Sequence, residues 1–455
     1  MARRPTYKEL LTLVHQQAKE ITLLKEKLTQ LKKELAELKH TKNSRNSSLP
    51  PSKDENRPKA NQSLRKSSGN KPGGQIGRQG KTLEMVTTPD IIVPLQPDYC
   101  CDCGLSLAHL QAIKAQSRQI VDIPPIKAVF TEYQVFSKTC SCGCQTTADF
   151  PENVNTPISY GEHIEGLISY FHARQYLPFA RMQEVFNDVF NINISEGGIH
   201  YLLNRFSDKV TPIYNIIKQR ITDSAVIGAD ETGVKVNGEK DWFWTWQTPK
   251  LTFIAYAPNR KQETINSLFP NGFPNSTLVH DGWKPQLNTT AKNHQTCLAH
   301  LQRHLIYLNK LYPDNTWGHS FLKLLYQSLE LKHKIKQPDY GVERAKIIQI
   351  LERLIDNPPN KAYKKLWTFF KRIAREREQL FVFLFIEEVP PDNNASERAI
   401  RNVKVKQKIS GQFKTEQAAQ NFAKIRSVID TTIKNGMNVL QALALIAKSE
   451  TISTD

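Results

Sequence analysis

Three short acidic stretches hold the residue types that could do chemistry: Ala229-Asp230-Glu231-Thr232, Val279-His280-Asp281-Gly282 and Asn393-Asn394-Ala395-Ser396-Glu397-Arg398. The first two carboxylates each close an apolar run that reads as a strand, and the third opens a helix crowded with Arg and Lys. Acids converging from separate elements suit a hard divalent cation, which takes a few carboxylates and completes its shell with water and substrate oxygens. Two such ions roughly 4 Å apart can activate an oxygen nucleophile, stabilise the leaving oxygen and neutralise phosphate charge in an in-line displacement. The expected cofactor is therefore a pair of Mg²⁺ ions, with Mn²⁺ as a substitute. Taken singly, each acid reads as a solvated carboxylate or a helix cap. Their joint arrangement singles them out, and at the first stretch the residues alone leave Asp230 and Glu231 both open.

The elements that must position these acids follow from the patterning. Ala225 to Ala229, Trp242 to Trp246 and Leu251 to Ala257 read as strands of antiparallel hairpins punctuated by Gly238. Trp242, Trp244 and Trp246 recur at period two, so they share one face, read as core. A helix through Thr264 to Leu268 leads to a strand from Ser276 to His280. The order β-β-β-α-β, with acids at the ends of the first and fourth strands, is a ribonuclease-H-like topology. Asp230 and Asp281 are about 50 residues apart, room for a hairpin and a crossover helix. The gap of about 116 residues before Glu397 is too long for a loop, and the helical pattern of 301–386 fills it as an insertion, taken as about 305–390. Asn394 shares a helical face with Glu397, and Arg398, Arg401, Lys404, Lys406 and Lys408 could grip a nucleic-acid strand.

The chain has 455 residues, enough for several domains, and a formal net charge of +18. That excess favours polyanionic partners. No apolar run reaches the roughly 18 residues of a spanning helix, and the start leads into a charged helix, so the expectation is a cytoplasmic, nucleoid-associated protein without a membrane partner. From Tyr7 to Leu38 a heptad of apolar residues (Val14, Ile21, Leu24, Leu28, Leu31, Leu35) predicts a coiled coil over 1–40 and a homodimer or higher assembly. Residues 41–90 are rich in Pro, Ser, Asn and Gly and read as a basic disordered linker; the first 90 residues hold 19 basic and 9 acidic side chains. Six of the seven cysteines form two triplets within 91–155. Clustering of this kind reads as metal binding, here a structural zinc ribbon on Cys100, Cys103, Cys140 and Cys142, with Cys101 and Cys144 spare and strand-like alternation from Ile120 to Ser137 between. Three helices predicted within 156–220 (Gly161 to Gln175, Pro178 to Val189, Ser195 to Phe206) read as a DNA-binding helix-turn-helix or as helical support. The remainder, 221–455, is the α/β catalytic unit of a multidomain α+β chain.

Several strings resemble the insertion-sequence-66 family of bacterial DDE transposases. They include Lys42-Asn43-Ser44-Arg45-Asn46-Ser47-Ser48, Gln175-Tyr176-Leu177-Pro178, Asp230-Glu231-Thr232-Gly233, His280-Asp281-Gly282-Trp283, and His294-x-x-Cys297-x-x-His300-x-x-Arg303. The most specific runs from Asp392 to Arg401, followed by Lys408 to Phe413 and Arg426-Ser427. The resemblance implies that Asp230, Asp281 and Glu397 are the catalytic acids. It also implies that Cys297 and His300 support the site, a pair that by itself reads as a core cysteine and a packed histidine. It further implies cleavage of double-stranded DNA at element ends, joining of the 3′-hydroxyls to target DNA, and accessory transposition proteins as candidate partners. Lys414 stands where the family usually has Arg, and the tail after Leu445 is short. Two other readings are an inactive transposase-derived DNA-binding regulator and a structure-specific nuclease.

Overall fold

The computed structural model describes residues 6–39, 77, 83–151, 154 and 156–449. Most of the linker expected over 41–90 lies outside the described residues. The first element, α1 (Tyr7–Lys39), is one 33-residue helix. Its apolar stripe is exposed along the chain, with Val14, Ile21, Leu24, Leu28 and Leu31 all more than half open to solvent. Among the described residues no helix is long and apolar enough to cross a membrane.

The cysteine-bearing segment holds little regular structure. Its hairpin pairs β1 (Ser137–Thr139) with β2 (Gln145–Thr147) in antiparallel register. The alternation from Ile120 to Ser137 does not become a strand before Ser137. Residues of both parities, such as Ile120, Val121, Val129 and Phe130, are exposed there, and no neighbouring strand offers a ladder.

Helices α2 (Glu162–Ala173), α3 (Phe179–Phe190) and α4 (Glu196–Thr222) follow. The Ser195 hydroxyl caps α4 by accepting from the Gly198 N–H at 3.0 Å. This helix runs well beyond the expected end at Phe206, because Val210, Ile217 and Ile221 continue its buried face.

Next come β3 (Val226–Val236), β4 (Glu239–Gln247), β5 (Thr252–Ala257), α5 (Gln262–Leu268), β6 (Phe273–His280), α6 (Lys284–Leu287) and β7 (Ala291–Thr296). The five strands form one mixed sheet in the order β5-β4-β3-β6-β7. The strands β3, β4 and β5 pair antiparallel, while β3-β6 and β6-β7 are parallel. Asn237 and Gly238 both have positive φ, the backbone of a two-residue hairpin whose twist matches its strands. The expected β-β-β-α-β order is therefore present, and β7 is an added strand. Trp244 and Trp246 are fully buried, and their rings stack 6.0 Å apart.

Beyond the sheet, α7 (Leu298–Leu311), α8 (Thr316–Lys332), α9 (Tyr340–Asp356) and α10 (Lys364–Arg375) pack around a core of their own that includes Leu305, Phe321, Phe369 and Phe383. The chain returns through α11 (Asn394–Ser410), α12 (Glu416–Lys434) and α13 (Val439–Lys448). These last helices share one hydrophobic core with α2–α4 and the sheet. Strand β5 is a sheet edge, and α12 covers it: Ser427 and Thr431 hydroxyls accept from the Ile254 and Thr252 N–H groups at 2.8 and 3.1 Å.

Candidate active site

Strands β3 and β6 are hydrogen-bonded only from Val226 to Gly228, paired with Thr277 to Val279. Extending that register sets Asp230 beside Asp281, where β6 has ended and β3 continues. Asp230 thus lies mid-strand rather than at a strand end, since Glu231 to Val236 go on pairing with β4. The polar run Asp-Glu-Thr-Gly looks like a terminus, but β4 supplies a full ladder for it.

Helix α11 brings the third acid. It approaches β3 closely at Gly228, where a Cβ would stand 2.5 Å from Ser396 Oγ and 2.6 Å from Gln247 Nε2. Asn393 Nδ2 donates to the Ala229 carbonyl at 2.7 Å, fixing the first turn of α11 over the strand. Side chains alternate along a strand, so Asp230 shares the α11 face with Gly228 while Glu231 points to the other. Glu231 is already occupied there. Arg260 Nε donates to its carboxylate at 2.7 Å, and the guanidinium lies 3.8 Å from the Trp283 ring centre and 5.0 Å from that of Trp242.

Burial, then the charges of Glu231, Asp281 and Glu397, push the Asp230 carboxyl well above the usual carboxylate range. Its hydrogen-bond donor is the Glu231 N–H at 2.9 Å, and among the described residues it has no ion-pair partner. Glu397 by contrast has cations on several sides: Arg303 at 3.3 Å, Arg401 at 3.7 Å and His300 Nε2 at 3.7 Å. Among the described residues no group of three or more His, Cys, Asp or Glu stands at a spacing that could hold a metal ion.

Cys297 links the second and third acids. It is fully buried; its N–H donates to the His280 carbonyl at 2.8 Å, and its sulfur accepts the Asn393 N–H at 3.2 Å. Burial raises its thiol to about 11, so the sulfur is a protonated packing group at neutral pH. His280, also fully buried, accepts the Gly282 N–H at Nδ1 (3.0 Å), which leaves Nε2 protonated to donate to His294 Nδ1 at 3.0 Å. Burial, then His294 and Arg372, lower its pKa to about 3, in keeping with this neutral tautomer. On the far side of Asp281, Arg372 from α10 donates to the Asp281 carbonyl at 3.1 Å and pairs with buried Glu376 at 2.9 Å. Gly282 has φ +82°, and a Cβ there would fall 1.9 Å from the Arg372 guanidinium.

A family model described as Transposase IS66 family matches residues 158–421, from α2 through all three acids into α12. The chain belongs to this family. A second model, a family of unknown function (DUF6444), matches residues 2–84. No curated protein matches the chain.

The basic residues expected on α11 of this transposase divide into two groups. Arg398, Arg401 and Lys408 are exposed, whereas Lys406 is 4% exposed and faces His172 at 3.4 Å. Lys406 lies on the inward stripe with Ala399 and Val403, a periodicity that its charge conceals. Burial lowers its pKa to about 8. The Lys404 ammonium donates to the Gly233 carbonyl. Asn394 is exposed, and the role of tying α11 to the strand falls to its neighbour Asn393.

The Cys100–Cys103 and Cys140–Cys142 pairs each sit on a turn closed by a positive-φ glycine, Gly104 and Gly143, and are not gathered into one cluster. Residues with no prior expectation also belong to the site: Gly228, Arg260, Arg372 and Glu376. A glycine inside a strand signals a close approach and could have pointed to Gly228; the others carry no local signal.

Proposed function

We propose that this transposase is of the DDE type: it binds the ends of a bacterial insertion sequence, cleaves the phosphodiester with water, and joins the freed 3′-hydroxyls to target DNA. Asp230, Asp281 and Glu397 would be the acids of a ribonuclease-H-like site. The observation that supports this most is the charge interaction of Asp230 with Asp281 and Glu397, residues far apart in sequence. The alternative acid, Glu231, is neutralised by Arg260, which favours Asp230. An all-oxygen set with one carboxylate lacking any cation fits a hard divalent ion. When bound between these acids, Mg²⁺ or Mn²⁺ would neutralise phosphate charge and make water a better nucleophile.

The chain's own groups do the positioning. Arg303 and His300 hold Glu397, Cys297 and Asn393 hold α11 against β3, and Arg372 holds the Asp281 backbone. Exposed Arg398, Arg401 and Lys408 would draw the DNA backbone toward the acids. Paired α1 stripes would join two subunits and so two element ends. Cys100, Cys103, Cys140 and Cys142 would hold a structural zinc. Hydrogen bonds, first from the Cys103 and Cys142 backbones, lower the Cys100 and Cys140 thiols toward the thiolate that zinc requires.

The test incubates the full chain with element-end duplex, a target plasmid and Mg²⁺. Joined product is expected from the wild type, cuts alone would indicate a nuclease, and binding alone a regulator. Asp230→Asn and Asp281→Asn should bind DNA normally and cleave at least a hundredfold more slowly, whereas Glu231→Gln should retain measurable cleavage. Cleavage by Asp281→Asn at the wild-type rate would remove this assignment.

A further inference from the structure

The insertion presents a strongly basic face that the site described above does not use. Residues 361–377 carry seven Lys or Arg side chains against one acid, Glu376. That acid is buried and turned inward onto Arg372 and Arg375. On α10, Leu366, Phe369, Phe370 and Ile373 are buried in the insertion's core. The opposite face is set by the helical repeat: Lys364, Lys371 and Arg375 fall within about 20° of one line, with Thr368 between them. Lys361, just before the helix, extends the line, its ammonium 5.4 Å from the Trp367 ring centre. Lys361, Lys364, Lys371 and Arg375 are all exposed. Of these, Lys361, Lys364 and Lys371 form no ion pair among the described residues.

The stripe is about 16 Å long from Lys364 to Arg375, at 1.5 Å per residue. That length covers about five nucleotides of one DNA strand at 3.4 Å each. It is also anchored to the site. Arg372, on the flank of the same helix, donates to the Asp281 carbonyl at 3.1 Å, and Gly282 lacks the Cβ that would block it. A duplex lying along α10 would therefore run past the second acid.

We propose that the exposed face of α10 is a DNA-backbone surface that holds the duplex beside the acid cluster. The inference rests on the reading of that cluster as a DNA-processing site and adds to it a second contact surface, on the insertion. The contacts are to phosphates, so the surface is blind to sequence. The duplex is either the element end or the target, and both have the same backbone chemistry.

The experiment uses the full chain and the variant K361A/K364A/K371A. Binding is measured by fluorescence anisotropy over a salt series, with one duplex carrying the element end and another of unrelated sequence. Three lost phosphate contacts should reduce the slope of log affinity against log salt by about 2.7. The melting temperature should be unchanged, since all three residues are exposed. A reduced slope on the element-end duplex assigns the surface to the donor; one confined to the unrelated duplex assigns it to the target. Either result supports the proposal, as does a reduction on both. An unchanged slope on both duplexes overturns it and leaves the acid assignment standing when the wild type still cleaves. A wild type that neither binds nor cleaves DNA overturns both.

Discussion

Gly228→Ala tests whether the close approach of α11 to β3 sets the geometry of the acids. An added Cβ would stand 2.5 Å from Ser396 Oγ and 2.6 Å from Gln247 Nε2, with Asn393 Oδ1 at 3.1 Å. The shortfall against ordinary contact is about 1 Å. Gln247 can yield at its amide end, but Ser396 is fully buried in the first turn of α11, one residue before Glu397. Relief therefore requires the helix to move by up to about 1 Å, and Glu397 moves with it. Overpacking of this kind costs about 1–3 kcal/mol. A displacement of that size at a reacting centre slows the reaction about a hundredfold. Thermal denaturation reads the first effect whether or not the chain cuts DNA. Single-turnover cleavage of an element-end duplex with Mg²⁺ reads the second. The double variant G228A/S396A separates the contact from a general loss of fold: Ser396 Oγ has no hydrogen-bond partner, so its removal alone should cost little and should restore most of both losses. Wild-type melting and cleavage by Gly228→Ala, or failure of the second substitution to restore either, would refute the reasoning.

Two further outcomes are expected. The folded pKa of Lys406 lies below its ordinary 10.5, at about 8, so the folded state holds fewer protons than the unfolded state between those values, and its penalty grows as pH falls through about 8. Lys406→Met should stabilise the fold by up to roughly 3 kcal/mol at pH 7 and by progressively less toward pH 10.5, read by urea denaturation across pH; destabilisation at pH 7 would contradict it. Cys297→Ala strands the buried Asn393 N–H, at a cost of about 1–3 kcal/mol, while Cys297→Ser keeps an acceptor and should lose less. Equal melting temperatures for the two variants would show that the sulfur contact does no positioning.

The parts of the site that were legible in the sequence are those with local signals. Apolar runs ending in acids mark β3 and β6, the Trp period marks the buried face of β4, and a helical pattern fills the gap before Glu397. Strand β7, Ala-Lys-Asn-His-Gln-Thr, has no apolar alternation to reveal it. Its buried Gln295 is satisfied only by tertiary partners, accepting from the Phe383 N–H and donating to the Leu380 carbonyl, both at 2.9 Å. Lys406 and Asn393 were hidden for the opposite reason. A charge or a duplicated residue suggests the surface, and only the packing of α11 against α2 and β3 decides which way each points. The choice between Asp230 and Glu231 rests on strand alternation combined with Arg260, a residue 29 positions further on.

The same tertiary bonds explain how a long insertion can separate two acids without misplacing them. The chain leaves the sheet at Cys297 and returns at Asn393, and the two ends are fastened to each other. The Leu298 N–H donates to the Pro391 carbonyl at 2.9 Å, and the Asn393 N–H to the Cys297 sulfur at 3.2 Å. The Cys297 N–H reaches the His280 carbonyl at 2.8 Å, so the second acid, the exit and the return form one knot of short bonds. The cost of closing a loop grows only as the logarithm of its length, about 0.6 kcal/mol per doubling. A folded insert with its own core adds little to it. The geometry of the acids then depends on the neck rather than on the insert's interior. The insert is free to carry a second task, and Arg372 on the Asp281 carbonyl is the bond through which its basic face is tied to the site.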